Sequence, residues 1–169
     1  MLAEEPTRIG VAQQDLLRQV HEHLRDELAS ILVAVDEVAA GAADPAATRS
    51  MINALAIRQN YWTLGSFCAA YCRMLSMHHG IEDAAMFPGL LERDPSLGPV
   101  VERLTADHEL VADVLVELDA ALVALVDGGS DVEAVRGRAQ QLSDLLLPHL
   151  AYEEEQLLPV IGRLTDRVV

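Results

Sequence analysis

Histidine and glutamate recur along this chain at spacings that could bind metal. His78 and Glu82 are four residues apart, as are His149 and Glu153, so each pair projects from one face of a helix. Imidazole nitrogens and carboxylate oxygens are donors that suit iron, manganese or zinc, and a carboxylate can bridge two ions. An ionised carboxylate in an apolar core is costly unless it is paired or bound to metal. The pattern therefore predicts a buried metal site.

An internal repeat favours two metal ions over one. The segment HHGIEDAAMFP at 78–88 aligns without a gap with HLAYEEEQLLP at 149–159, and HEHLRDEL from His21 aligns with HELVADVL from His108. Two copies related by a pseudo-twofold axis would give similar ligands to a centre on that axis. The predicted metal ligands are His21, His78, His79, Glu82, His108, His149 and Glu153.

Neighbouring residues leave alternatives to two of these assignments. Glu154 is the alternative to Glu153, which we prefer because it shares the spacing of Glu82. His23 lies two residues from His21 and therefore points about 200° away around a helix. We expect His23 to be solvated or to support the site from outside.

His79 is the least regular of the predicted ligands. It lies about 100° around the helix from His78 and can face the core only from the flank of the apolar stripe. A histidine that makes ordinary hydrogen bonds is the alternative at this position. For the set as a whole, four histidines at one depth with two His-x-x-x-Glu pairs favour metal binding.

Four long helical segments must position these side chains. Stretches rich in proline and glycine at 41–45, 88–99 and 127–131 separate segments with helical periodicity. The predicted helices run from about Val11 to Ala40, Pro45 to Phe87, Pro99 to Val126 and Val132 to Leu164.

Apolar residues recur in steps of three and four on every segment, as with Leu24 and Leu28 after His21. Such stripes indicate helices that each offer one face to a shared core, and short connections imply antiparallel neighbours. The predicted fold is an all-α, up-down-up-down antiparallel four-helix bundle, a single domain over 1–169 with its core at about 11–164. Pro88 and Pro159 are expected to bend or end their helices, and Pro148 to kink the last one.

Composition agrees with a bundle and limits the partners. Hydrophobic residues make up 51% of the 169 residues and aromatic residues 4%, which suits helix-on-helix packing. A formal net charge of −15 disfavours nucleic acid and anionic membrane surfaces. With no apolar run long enough to span a membrane and no visible signal peptide, we expect a cytoplasmic protein in which Cys68 and Cys72 are reduced thiols.

The motifs HHGIED, DHE and HLAYEE, which follow an isolated His21, resemble the hemerythrin-like, or HHE cation-binding, family. The resemblance extends from His21 to Pro159. In composition and motifs the chain is similar to stand-alone hemerythrin-like proteins of actinobacteria, including mycobacteria. It implies two non-haem iron ions with an oxo or hydroxo bridge. Glu82 and Glu153 would be the bridging carboxylates, and the histidines would be terminal ligands.

The sequence departs from the oxygen-carrying hemerythrins on the third helix. Those carriers have two histidines one turn apart there, whereas here Leu104 and Ala112 lie one turn before and after His108. His79 would supply the missing nitrogen; without it, one iron has an additional open position and reversible oxygen carriage is not expected. Ferritin-like sites are an architectural alternative, but they use Glu-x-x-His pairs, the reverse order.

The resemblance implies an activity toward small oxidants. We expect catalase-like decomposition of hydrogen peroxide in oxidative or nitrosative stress defence, with Asp83, Tyr152 and Glu154 as a proton relay. Tyr71 could donate a hydrogen bond near the site or act as a radical sink, with simple packing as the alternative. Alternative functions are reversible binding or storage of oxygen or nitric oxide, and sensing of iron, redox state or oxygen. The expected oligomeric state is a monomer or weak dimer.

Overall fold

The chain folds into long helices with no strand among the residues that the structure describes. The computed structural model describes residues 2–43, 51–127 and 131–168, with side chains for all of these except 41–43 and 51–63. The helices are α1 (Arg8–Ala43), α2 (Met51–Ile81), α3 (Phe87–Arg93), α4 (Gly98–Val126) and α5 (Val132–Ile161).

The four long helices pack as the corners of a bundle. Helix α1 contacts α2 and α5, and α4 contacts the same two neighbours. This arrangement confirms the all-α prediction, while the up-down-up-down order of the helices stays a prediction. None of the helices in the described ranges has the length and apolar character needed to cross a membrane.

The predicted apolar stripes form the core, and a layer of polar residues divides that core in two. Leu24 and Val111 belong to the larger apolar cluster, whereas Leu17 and Leu104 belong to the smaller one. On α1, His21 lies between Leu17 and Leu24. On α4, His108 lies in the same way between Leu104 and Val111. The polar layer is thus enclosed by apolar side chains on both sides, away from water.

Several predicted boundaries need correction. The stretch 88–99 is not a simple break, because α3 runs through Pro88 to Arg93 and a 3₁₀ turn follows at Pro95–Leu97. Pro148 and Pro159 both lie inside α5, which ends at Ile161 rather than at Leu164. The predicted start of the second helix at Pro45 lies outside the described residues, as does part of each loop at 41–45 and 127–131.

A π-helical turn, Glu82–Met86, joins α2 to α3. The amide of Phe87 donates to the carbonyl of Glu82, five residues earlier, instead of to the usual position four residues earlier. Pro88 has no amide hydrogen to donate, so regular α-helical bonding is already interrupted here. Such single π-turns occur frequently at functional sites.

The two chain termini close the end of the bundle nearest to the polar layer. The amide of Thr7 donates to the carbonyl of Gly162 at 2.9 Å, and the Thr7 hydroxyl donates to the Leu164 carbonyl. Gly10 permits this approach, because a Cβ atom there would lie 2.1 Å from the Gly162 oxygen. Arg93 and Asp166 form an ion pair at 2.6 Å over the same end.

Candidate metal centre

All seven predicted ligand side chains lie together in the polar layer. Six of them are buried, and the side chain of His78 is 10% exposed. Helix α1 supplies one of these side chains, α2 two, the π-helical turn one, α4 one and α5 two. In that order they are His21, His78, His79, Glu82, His108, His149 and Glu153.

The polar atoms of this layer have few hydrogen-bond partners within the chain. Among the described residues, ten buried side-chain nitrogen and oxygen atoms lack a hydrogen-bond partner, and all ten belong to these seven residues. An unpaired buried polar group costs roughly 1–3 kcal/mol. Bound cations would satisfy these atoms, and imidazole nitrogens and carboxylate oxygens are suitable donors for a transition metal. The residues present therefore fit a metal centre.

The donors divide into two groups, each compact enough for one ion. Donor atoms of His79, His108 and His149 lie within 4.8 Å of one another. A second group, formed by His21, His78, Glu82 and Glu153, has the same spread. The first group contains three nitrogen donors, whereas the second contains two nitrogen donors and both carboxylates.

Glu82 has one carboxylate oxygen near each group of donors. Its Oε1 lies 3.1 Å from Nε2 of His78, and its Oε2 lies 3.5 Å from Nε2 of His108. These two histidines belong to different groups. The carboxylate therefore has the placement that a bridge between two ions requires.

Glu153 also lies near both groups, but through a single carboxylate oxygen. Its Oε2 lies 3.4 Å from Nε2 of His21 and 3.8 Å from Nε2 of His149. Glu154, the alternative considered for this position, lies behind His21 instead of inside the layer. The structure thus places Glu153, and not its neighbour, among the inward-facing donors.

Burial favours the neutral form of three imidazoles of the layer, those of His78, His79 and His149, by lowering their pKa values. It lowers the pKa of His78 to about 4 and the pKa of His79 to about 2, and nearby imidazoles lower both further. Burial together with the charge of Glu153 raises the pKa of Glu82. Burial would also raise the pKa of Glu153, but the close imidazole of His21 outweighs burial and lowers that pKa. Neutral imidazoles have free lone pairs and are the form that binds metal.

Two further carboxylates hold histidines from behind. Oε1 of Glu154 lies 2.9 Å from Nδ1 of His21, and the Arg25 guanidinium lies 2.8 Å from the same oxygen. Oδ1 of Asp83 lies 3.0 Å from Nδ1 of His108. A carboxylate at Nδ1 favours the tautomer with the proton on that nitrogen, which leaves Nε2 free to face the centre. Both residues were predicted as a proton relay, and both contact candidate ligands directly.

Asp107 is a third carboxylate beside a histidine of the layer, although it forms no hydrogen bond with that ring, and sequence reasoning missed it. Its Oδ2 lies 3.5 Å from Nδ1 of His149, on the neighbouring helix. Asp83 and Glu154 each directly follow a predicted ligand, so their closeness to the site could be predicted from the sequence. Asp107 instead precedes His108 and faces a histidine of another helix, and no local spacing indicates that contact.

The other residues singled out from the sequence lie outside the layer. His23 is exposed, as expected for its side of α1. The ring of Tyr152 lies under the Arg103 guanidinium at 3.8 Å. The Tyr71 hydroxyl donates to the carbonyl of Leu24 at 3.2 Å. Cys68 is buried and its thiol is free.

An apolar cavity of about 230 Å³ reaches the centre from one side. His78 and Glu82 lie at its inner end, and its walls include Leu17, Leu90 and Leu164. It therefore leads to the group with two histidines, the one with fewer nitrogen donors.

Comparison with known protein families identifies the chain at the family level. The profile of the hemerythrin HHE cation binding domain matches residues 12–161. No curated protein and no solved structure gives a significant match. Since the profile match covers most of the chain, and the buried histidines and glutamates could hold a metal, the chain belongs to the hemerythrin HHE cation-binding family.

Proposed function

We propose that this protein binds two non-haem iron ions with a bridging oxo or hydroxo group and decomposes hydrogen peroxide. Its role would be in defence against oxidative or nitrosative stress. Family membership supports a bound cation, and the nitrogen-rich donor set suits iron.

The seven inward-facing residues would hold the two ions. His79, His108 and His149 would bind one ion, and His21 and His78 would bind the other. Glu82 and Glu153 would bridge the pair, as their contacts with both groups support. The pair of ions would supply two-electron redox chemistry between its diferrous and diferric states.

The inequality of the two donor groups carries the proposal. One group has three histidines and the other has two, so, with both carboxylates shared between the ions, the second ion would have a position free for a small molecule. The apolar cavity ends at His78 and Glu82, on the side of that second ion. A free position and a route to it from the surface are what a reaction with peroxide requires.

Side chains around the centre would orient the ligands and handle protons. Asp83 and Glu154 hold Nδ1 of His108 and His21, which keeps Nε2 of each ring directed inward. Both carboxylates are partly exposed, with 39% and 24% of their side chains accessible. They can therefore exchange protons with water at the edge of the layer.

Reversible binding of oxygen or nitric oxide is the second candidate function, and the apolar cavity favours it. An apolar approach admits neutral diatomic molecules and excludes water, which would slow oxidation of a bound gas. The same centre could serve either purpose. The two functions differ in whether peroxide is turned over.

The deciding experiment adds hydrogen peroxide to the iron-loaded protein and follows evolved oxygen. Many turnovers per chain, lost in Glu82→Ala and retained in His23→Ala, are the result we expect. A reversible oxygenated species from the reduced protein, with no peroxide turnover, would support gas binding instead. Inactivity toward both in a protein with a full iron complement would overturn the proposal.

A further inference from the structure

The internal repeat places the apolar cavity at one of two equivalent positions in the fold. Extending the alignment of His21 with His108 pairs Leu16 with Arg103 and Val20 with Asp107. Leu16 and Val20 line the apolar cavity beside His78. The two halves of the bundle therefore present the same approach to the centre with opposite chemistry.

The second half has a smaller and more polar cavity, which overlaps the equivalent position at three lining residues. This cavity of about 160 Å³ is lined by Arg103, Asp107 and His149. The ring of Tyr152, which aligns with Ile81 of the first half, lies under the Arg103 guanidinium. An apolar molecule would have to displace water from charged groups at this position, which is unfavourable.

The cavity of the first half is larger and almost wholly apolar. Its volume is about 230 Å³, and at its mouth Leu16 is 61% exposed and Ile81 is 44% exposed. A dry cavity of about 150 Å³ lined by aliphatic and aromatic side chains is large enough for benzene. The space is therefore larger than oxygen, nitric oxide or hydrogen peroxide needs.

We propose that this cavity is a binding site for a small organic molecule with an apolar body and one oxygen-bearing end, such as an alkyl or aryl hydroperoxide or its alcohol. The body would contact Leu17, Leu90 and Leu164, and the oxygen-bearing end would lie toward His78 and Glu82. This inference deepens the proposed function, on which it rests, by naming a substrate class for the same centre.

Exposed apolar side chains at the mouth support this choice of ligand. Leu16 and Ile81 are exposed beside the cavity, so an apolar ligand seated there would remove apolar surface from water. Gln13 is the one polar but non-ionisable residue among the lining side chains, and the ionisable groups of the lining are His78 and Glu82, on the side of the centre. A molecule that is apolar along its length and polar at its tip matches that distribution.

The test measures binding of 2-phenyl-2-propanol to the iron-loaded full chain by titration calorimetry. This alcohol has the proposed shape and does not consume the centre. The double variant Leu16→Arg with Ile81→Tyr copies the arginine and tyrosine of the second half into the first. We expect it to weaken binding at least about tenfold, with iron content unchanged.

A matched control carries the same new side chains at exposed sites elsewhere. Val33 and Val116 are 59% and 70% exposed, so Val33→Arg with Val116→Tyr should bind the alcohol as the parent protein does. Leu16→Arg alone should also weaken binding of the alcohol. Because this single variant leaves Ile81 unchanged, its effect cannot come from a disturbance of the adjacent Glu82.

Binding that is absent in the parent protein, or equal in the parent and both mouth variants, would overturn the inference. Calorimetry reports binding without turnover, so the inference and the proposed function can fail separately. A protein that binds the alcohol in this way but does not decompose peroxide would contradict the proposed function while supporting the binding site.

Discussion

Glu154 lies behind His21, with its Oε1 2.9 Å from the Nδ1 of that ring. Glu153, the preceding residue, approaches the opposite nitrogen, Nε2, at 3.4 Å. Consecutive glutamates thus lie on opposite sides of one imidazole, Glu154 at the nitrogen that donates and Glu153 at the nitrogen left free for the centre. Glu82 and Asp83 lie in the same way around His108, at 3.5 Å and 3.0 Å.

This relationship predicts that Glu154 strengthens metal binding without being a ligand. Glu154→Gln removes the charge that orients His21, and outer carboxylates of this kind typically contribute about 10–100-fold to metal affinity. A chelator competition assay would measure the change. Glu155→Gln, at an exposed position one residue further on, should leave affinity unchanged. Equal loss in both variants would indicate a general charge effect instead.

Replacing Glu82 should affect iron content far more than replacing His23. Glu82→Ala removes a carboxylate that contacts both donor groups, whereas His23 is exposed on the outer side of α1. Iron analysis after reconstitution would compare the two variants, with far-ultraviolet circular dichroism to verify folding. Equal iron in both would contradict the ligand assignment.

His79 is the candidate ligand without a counterpart in the other half of the repeat, where Leu150 aligns with it. His79→Leu leaves His108 and His149 as the nitrogen donors of the first group. We expect the affinity of that site for iron to fall. After dialysis, about one firmly held iron per chain should therefore remain. Leu75→Ala, which alters a buried residue one turn away, is the control for a packing defect. Full iron retention in His79→Leu would show that His79 is not a ligand.

Much of this centre could be predicted from the sequence, because helical spacing and the repeat both constrain it. Steps of three and four residues identified Leu24 and Leu146 as core, and both are fully buried. The same spacing separated His21 from the exposed His23. These features depend on the direction in which a side chain projects from its own helix. Position in the sequence determines that direction.

Features that depend on contacts between elements could not be predicted. The π-helical turn at Glu82–Met86 requires a hydrogen-bond shift that no residue type specifies, although Pro88 favours it. The contact of Asp107 with His149 depends on how α4 packs against α5. The apolar cavity needs α1, α3 and residues 162–168 to meet, and its volume follows from their packing.

Metal removal should lower thermal stability. Ions that bind only the folded state stabilise it, and a ligand at 100 times its Kd contributes about 2.7 kcal/mol. For a chain of this size that corresponds to a fall in Tm of roughly 5–10 °C when the metal is removed. Differential scanning calorimetry with and without chelator would measure it, and restored iron should reverse the change. An unchanged Tm would mean that the layer is stable without metal.

The metal-free protein should lose stability as the solution is acidified below pH 6.5. The unfolded chain protonates His78 with a pKa of 6.5, whereas the folded chain does so with a pKa of about 4. The unfolded state therefore binds more protons between these values, and the free energy of unfolding falls as pH falls through that window. Urea unfolding of the metal-free protein at pH 7, 6 and 5 would measure the trend. His78→Gln should reduce the slope, and an unchanged slope would contradict the assignment of the trend to this imidazole.

The most direct test of the central claim is the iron content per chain after anaerobic reconstitution and removal of loosely bound metal. The two donor groups predict about two irons per chain. Fewer than about one iron per chain, in a protein shown to be folded, would contradict a dinuclear iron centre.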